Sequence, residues 1–476
     1  LKTFTTKTCL KIEKKQQTLF LTKMSIFKKI FFLKFIDLYA GLGGFHYALE
    51  ELGHQCVMAS EIQKDLKDLY QKNHNPGLFF KLIGDIHTEI KTKDIPEFDI
   101  LCAGFPCQPF SQAGKRRGLK DPNNGNHFIK IIEIISSRKP TYVFLENVPN
   151  LKGHDSGNTW KVIKNSLKKE GYTVKEEIFS PDEFGVPQQR RRIYITAVRN
   201  DKLQGEIIYP LKKEGQNKTN ITDFIEEGPG EDMVLKEETI KQLNYWEEFL
   251  KKIESKALGD VPRFPVWSME FGATYPFEKI ATINYSLKEL NNYKGKFGVN
   301  INAKNKEELK EYLPKYSLTN QETFPSWKIN YIKRSRGFYE THKEWIKNWV
   351  TKIKDWELSH QKFEWNCGPD TELTLKDKII QFRPSGIRVK NMDRFPALVL
   401  ASTQIPIIYD KHKKGGEGFR YITKREAANL QSFPKKKFSI LKNNNSAYRA
   451  FGNAVNVKVV KAIVSSVIKN NGQSDI

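Results

Sequence analysis

Residues 30–53, IFFLKFIDLYAGLGGFHYALEELG, restrict the fold of this chain more than any other segment. An apolar run ends at Asp37, glycines at 41, 43 and 44 make a turn, and apolar residues at 45, 48, 49 and 52 recur at helical spacing before Gly53. Strand, tight loop and helix in that order open a Rossmann-like parallel sheet. Glycines let the backbone approach a ligand and the helix start offers free N–H groups, although a plain tight turn asks for the same residues. The next strand ends favour a ligand. CVMASEI reads as a second strand ending at Glu61, close to the ~20 residues beyond the glycines at which a carboxylate grips ribose hydroxyls. LIGDI places Asp85 at a third strand end. Each carboxylate alone would also serve as a helix cap or turn residue. Three at successive strand ends are expected to line one crevice, because ligands of open α/β sheets sit at the carboxyl ends of the strands.

A fourth strand leads into GFPCQPFSQAG, residues 104–114, where Pro106 and Pro109 restrict the backbone around Cys107 and Gln108 before any substrate arrives. PTYVFLENVPNL is a fifth strand ending at Glu146, Asn147, Val148 and Pro149. A thiol and a carboxylate at adjacent strand ends read as reactive groups. The alternatives are a small buried hydrophobe and a helix cap. Further on, QQRRRIY carries three arginines; along one strand Arg190 and Arg192 share a face and Arg191 does not, which also describes a solvated basic edge.

With 79 Lys+Arg against 55 Asp+Glu in 476 residues, the formal charge of +24 points to a polyanionic partner, nucleic acid or an acidic membrane surface. Cysteines at 9, 56, 102, 107 and 367 are odd in number and scattered, which fits a reducing cytoplasm rather than a disulfide framework. No zinc-type spacing is present, so no metal is expected. MSIFKKIFFLKF is interrupted by Lys34, lacks a small-residue cleavage site and is too short to span a bilayer. Residues 1–33 are expected to be an extension outside the fold, and no membrane partner is expected.

The ordered series FIDLYAGLGGF, SEI, GDI, GFPCQPFSQAGKRRG, ENV, GVPQQRRRIYI, YITKREAANLQSFP and FGNAVNVKVV resembles the cytosine-5 DNA methyltransferases, motif for motif, over roughly 34–200 and 380–470. The resemblance implies a Rossmann-like α/β large domain that binds S-adenosylmethionine and releases S-adenosylhomocysteine, a smaller target-recognition domain, and a flipped cytosine in double-stranded DNA as substrate. It implies Cys107 as nucleophile to C6, Glu146 as the group at N3, and Arg190 and Arg192 holding Glu146 and the base's carbonyl oxygen. Asp37, Tyr39, Gly41, Gly43, Gly44, Glu61, Ile62, Asp85, Ile86, Asn453, Ala454 and Val455 are implied at the cofactor. Gln108, Ser111, Lys115, Arg116, Arg117 and Gln188 are implied at the DNA. Asn123, Asn124 and His127 stand where the family pattern has arginine and bulky apolar residues, and Ala454 stands where many relatives have serine.

Residues 34–200 with 445–476 are thus expected to form the catalytic domain, and 201–444 the recognition domain including the ninth motif. Between 201 and 380 aromatics interleave with lysine and asparagine, a mixture that suits groove and phosphate contact, although aromatic stripes are more often core. The final stretch from Ser446 is expected to be one helix packed beside the glycine loop. A stand-alone core with one recognition region resembles the prokaryotic enzymes that protect DNA from a companion nuclease, acting as monomers in the cytoplasm. A tRNA-directed cytosine-5 methyltransferase shares these motifs, but that branch carries a Cys-Phe-Thr tripeptide that is not found here.

Overall fold

The computed structural model describes residues 32–74, 80–106, 126–212, 219, 221–226, 234–254, 262–368, 371–398, 404–412 and 416–472. Cys107, Gln108, Ser111, Lys115, Arg116 and Arg117, with Asn123 and Asn124, lie outside the described residues.

Seven strands form the larger sheet: β1 (Lys34–Leu38), β2 (Gln55–Ser60), β3 (Lys81–Ile83), β4 (Ile100–Ala103), β5 (Tyr142–Asn147), β6 (Tyr172–Phe179) and β8 (Arg192–Arg199), with the two-residue β7 (Gln188–Gln189) preceding β8. Their order is β3-β2-β1-β4-β5-β8-β6. The first five are parallel, and β8 runs antiparallel to both of its neighbours. The chain leaves β1 toward β2 and β3, then returns to the other side of β1 as β4. That reversal opens a crevice at the carboxyl ends of β1 and β4, where the glycine loop and Gly104 begin.

Both faces of the sheet are covered, so the central β4 and β5 read as largely apolar runs, while β6 at the edge alternates with exposed polar residues. Phe35, Cys56, Cys102 and Phe144 face one side, with α1 (Gly44–Glu50), α2 (Lys64–Asn73) and α10 (Val457–Asn471). Ile36, Met58, Leu101, Val143 and Leu145 face the other, against Ile131 and Ile135 of α3 (Asn126–Arg138) and Ile163 and Leu167 of α4 (Asn158–Lys169). Each such fully buried side chain contributes about 1.5–3 kcal/mol.

The second sheet has the order β15-β14-β11-β12-β10-β9. Its strands are β9 (Val266–Trp267), β10 (Lys362–Asn366), β11 (Lys378–Arg383), β12 (Gly386–Asn391), β14 (Ile407–Asp410) and β15 (Gly418–Tyr421). One face buries Phe363, Trp365, Ile380, Ile387 and Val389 against Trp246 and Phe249 of α5 (Glu237–Glu254) and Trp349 of α7 (Lys343–Trp349). The aromatics between 201 and 380 are thus largely core. A loop-rich lobe around Met269, Tyr275 and Leu290 packs on Ile332 of α6 (Ser326–Thr341).

The two parts share a core. Ile379 and Ile408 of the smaller sheet enter the cluster beneath α1, and β13 (Phe395–Pro396) pairs with β7. Helix α8 (Lys424–Leu430) and the turn after it lie there too: Phe433 and Phe438 pack edge-on against Tyr47, and Asn73 Nδ2 donates to Ser439 O at 3.0 Å. Packing therefore carries residues 427–438 to the larger sheet, although the sequence grouped them with 201–444. The expected single terminal helix is two, α9 (Asn444–Asn453) and α10. They break at Ala454–Asn456 because the Asn456 side chain caps α10, accepting from the Lys458 and Val459 amides. By length and composition the 444–471 stretch could cross a membrane, yet 61% of its apolar window is buried inside the protein.

Candidate active site

Local chemistry builds the crevice. Tyr39, at φ 57°, turns the chain out of β1 in a left-handed conformation that costs an L-residue roughly 1–2 kcal/mol, and Gly43 continues the turn at φ 77°. Gly44 serves a different purpose: a Cβ there would sit 2.6 Å from Val455 Cγ2 and 2.8 Å from Val455 O. Only a bare Cα lets the 453–456 turn lie on the glycine loop. Asn453 is exposed beside it, while Ala454 and Val455 are buried.

Glu61, just beyond β2, is tied down by backbone donors: Gly41 N reaches Oε2 at 2.9 Å and Gln63 N reaches Oε1 at 2.8 Å. Burial pushes its pKa up, and those amides pull the other way. Asp37 is buried at the foot of the crevice. Burial pushes its pKa well up, the His46 backbone amide pulls the other way, and nearby Glu61 adds to the rise. Ile62 exposes 70% of its surface at the same rim, whereas Ile86 is buried. Asp85 accepts from the His87 amide at 2.9 Å and the Thr88 hydroxyl at 3.2 Å. Tyr39 reaches across to His127 O at 3.3 Å, and His127 Nδ1 lies 3.1 Å from His87 Nε2. A buried carboxylate, an exposed apolar side chain and a loop that excludes Cβ atoms suit a ligand with an amine, hydroxyls and a flat ring, as S-adenosylmethionine has.

Glu146 is 6% exposed at the end of β5. Arg192 Nε lies 3.0 Å from its Oε1. Burial pushes the Glu146 pKa up, and Arg192 and then Arg190 oppose that. Its other oxygen faces Gly104, 4.0 Å from where a Cβ would stand. Asn147 Nδ2 donates to Phe105 O at 3.3 Å, which fixes the 104–106 backbone to the end of β5 beside Glu146. The two arginines differ. They do not alternate along one strand, because β7 stops at Gln189 and β8 starts at Arg192. Arg190 is buried and its Nη2 donates to Ala454 O at 2.8 Å, a carbonyl freed where α9 ends. Gln188 is fully buried, its Oε1 accepting from Gln431 Nε2 at 2.9 Å. The sequence reading named neither Asn147 nor Gln431 as a site residue, although both lie inside quoted motifs, ENV and LQSFP.

The family model of the C-5 cytosine-specific DNA methylases matches residues 33–267 and 277–469. The chain belongs to this family. Over 496 aligned positions the methylase is 30% identical to the type II methyltransferase M.AluI of Cellulosimicrobium cellulans, covering 92% of each chain. It is 44% identical over 174 positions to M.HhaI of Haemophilus parahaemolyticus, covering 37% of this chain and 51% of that one. The solved structure of the Entamoeba histolytica methyltransferase EhMeth aligns at 14% identity with a TM-score of 0.49, covering 92% of this chain and 98% of that one. The protein is a DNA cytosine-5 methyltransferase of Rossmann-like fold.

Beneath the glycine loop lies a polar cluster that the sequence did not reveal. His46 and His74 stack with ring centroids 3.7 Å apart, and His46 Nδ1 lies 2.6 Å from Tyr70 Oη. With Glu50 they bring three ligand-type atoms within 4.8 Å of one another. The rings are inclined by only 18°, so their in-plane lone pairs run side by side instead of converging as a metal requires.

Proposed function

We propose that the methylase modifies a flipped cytosine at a fixed duplex sequence through a covalent adduct to Cys107, with Glu146 managing the proton at N3. The observation that carries this reading is the buried Glu146–Arg192 pair at the rim where the 104–106 backbone arrives. Burial pushes the Glu146 pKa up, which favours the protonated carboxyl that can share its proton with N3 and make C6 electrophilic. The Cys107 thiolate then forms a bond to C6, and the electron pair of the 5,6-double bond moves to C5. Bound S-adenosylmethionine supplies the electrophilic methyl that C5 takes. Loss of the C5 proton to water returns the electron pair, the S–C6 bond breaks, and the thiolate is free.

Asp37, Glu61 and Asp85 are the carboxylates that would hold the cofactor's amine and hydroxyls, with Tyr39 and Ile62 against its adenine. Arg192 keeps the Glu146 carboxyl oriented. Arg190 acts from further back, fastening the 453–456 turn to the base pocket. Residues 115–117 would meet the DNA; Gln188, fully buried against Gln431, would brace the base pocket from behind. Methylation of this kind shields a sequence from a nuclease that cuts it, a role that the type II designation of the relatives supports.

The decisive experiment uses duplex DNA with 5-fluorocytosine at the target, because fluorine at C5 cannot leave as a proton and the adduct persists. The wild type is expected to give a denaturant-resistant complex, and Cys107→Ser none. Near-normal methylation by Cys107→Ser would refute the mechanism, since a serine hydroxyl is far less acidic than a thiol of pKa ~8.5.

A further inference from the structure

The smaller sheet has one face on its aromatic core and one turned toward the larger sheet. In-register pairing puts Glu364 opposite Arg388 and Asn366 opposite Lys390, while Gln381 of β11 opposes Arg388 from the other side. Paired residues share a face, so these form a polar patch on the side away from Phe363, Trp365 and Ile387 Cβ directions. The patch opens into a cleft of about 500 Å³ to which Gln189, Arg263, Asn366, Arg388, Lys390 and Arg394 contribute. Four of those six are cationic, and the cleft lining among the described residues includes no carboxylate. Lys390 Nζ also reaches Gln189 Oε1 of β7 at 3.1 Å, so the patch is continuous with the QQRRR motif.

Cations crowded this way repel one another. Burial first, and then Arg388, Arg383 and Arg394, pull the Lys390 pKa down, while Glu364 pulls it up. Glu364 offsets part of that repulsion, and a polyanion, as the substrate of this enzyme is, would offset the rest. Within the patch one guanidinium is held in a particular way. Arg388 Nε and Nη2 both approach Glu364 Oε2, at 2.8 and 2.7 Å, while Glu364 Oε1 accepts from Asn366 Nδ2 at 2.9 Å. The carboxylate is thus used on both oxygens and takes the side of the guanidinium. Side-on pairing leaves the end of the fork, Nη1 and the second Nη2 hydrogen, directed away from Glu364. That end matches the two acceptors O6 and N7 that guanine alone presents in the major groove. A lysine presents a point charge and has no such fork.

We propose that Arg388, oriented by Glu364, reads a guanine of the target duplex, with Lys390, Arg383 and Arg394 on the flanking phosphates. The assignment rests on the proposed action at a fixed duplex sequence. Arg388 is the specificity-determining residue and Glu364 a positioning residue.

The test starts from the full-length protein and a library of randomised duplexes, read by bisulfite sequencing after methylation. The wild type first defines the target. Arg388→Ala and Arg388→Lys are then expected to lose discrimination at a single guanine position, by roughly 5–150-fold, with the other positions retained. Glu364→Gln is expected to relax that same position by a smaller factor. Lys390→Ala is expected to weaken every duplex alike and to lower the salt slope by about one. Calorimetric S-adenosylmethionine affinity equal to the wild type shows that each variant is folded, and Arg388→Lys keeps the charge should the alanine variant fail that control. A uniform loss across all sequences in both Arg388 variants, or an unchanged target, overturns the assignment while leaving the enzyme's activity at a fixed site standing. A wild type that methylates cytosines without sequence preference removes the proposed function and this assignment together.

Discussion

His74 offers the most direct test of the packing beneath the glycine loop. It is 3% exposed, stacked on His46, flanked by the Tyr47 and Tyr70 rings at 4.4 Å, and neither ring nitrogen makes a hydrogen bond among the described residues. Burial, with neighbouring His46, pulls its pKa from 6.5 down to about 2. The folded protein therefore holds it neutral throughout the usable pH range, whereas the unfolded chain takes up a proton below about 6.5. The unfolded state binds more protons there, so stability is complete above that value and falls with falling pH, by about 1.4 kcal/mol for each pH unit. Between pH 6.5 and 5 this amounts to about 2 kcal/mol, and the result does not depend on whether the folded pKa is 2 or 3. His46, pulled down to about 3 by burial, adds a similar loss. Urea unfolding of wild type and His74→Phe at pH 8 and at pH 5 measures it. The wild type is expected to lose about 2 kcal/mol more than the variant over that interval. A constant packing cost from the larger ring shifts both variant measurements alike and cancels in the difference. Equal losses in the two proteins would show that His74 is protonated in the folded state and that the buried stack is wrong.

Glu146→Gln keeps the shape but cannot give N3 a proton; turnover is expected to fall by about 10²–10⁴ with duplex binding retained in a gel-shift assay. Arg192→Leu removes the main charge that holds the Glu146 pKa down, so alongside a lower rate the alkaline limb of the pH–kcat/KM profile is expected to move to higher pH; an unmoved limb would detach the pair from catalysis. Gly44→Ala forces a methyl group into Val455, with an expected cost of about 1–3 kcal/mol in unfolding free energy and weaker S-adenosylmethionine binding by calorimetry. Neutralising Lys115, Arg116 and Arg117 together is expected to flatten the salt dependence of DNA binding equally for every sequence, whereas a loss confined to one motif would make that loop a reader of bases.

The strand–loop–helix opening, the carboxylates at the ends of the next strands and the fifth strand ending at Glu146 were all legible from the chain. Each rests on local properties: apolar periodicity, the need for glycine in a tight turn, and polar residues where a strand leaves the core. What local pattern cannot carry is which distant segments meet. Arg190 and Arg192 look equivalent in QQRRRIY, yet one reaches Ala454 O and the other Glu146, because β7 ends before Arg190, β8 starts only at Arg192, and α9 stops at a carbonyl 264 residues beyond Arg190. Gln188 and Gln431 are 243 residues apart in the chain and 2.9 Å apart in space. Gly44 looked like one more turn glycine, and only the tertiary structure brings Val455 against its Cα. Phe433 and Phe438 carry apolar surface that either core could have taken, and Tyr47 decides between them. The polar face of the smaller sheet follows from the register of β10, β11 and β12, which no single strand specifies. Sequence thus determined the elements and the chemical groups at their ends, while long-range pairing and packing, which depend on the whole chain closing on itself, decided which of those groups act together.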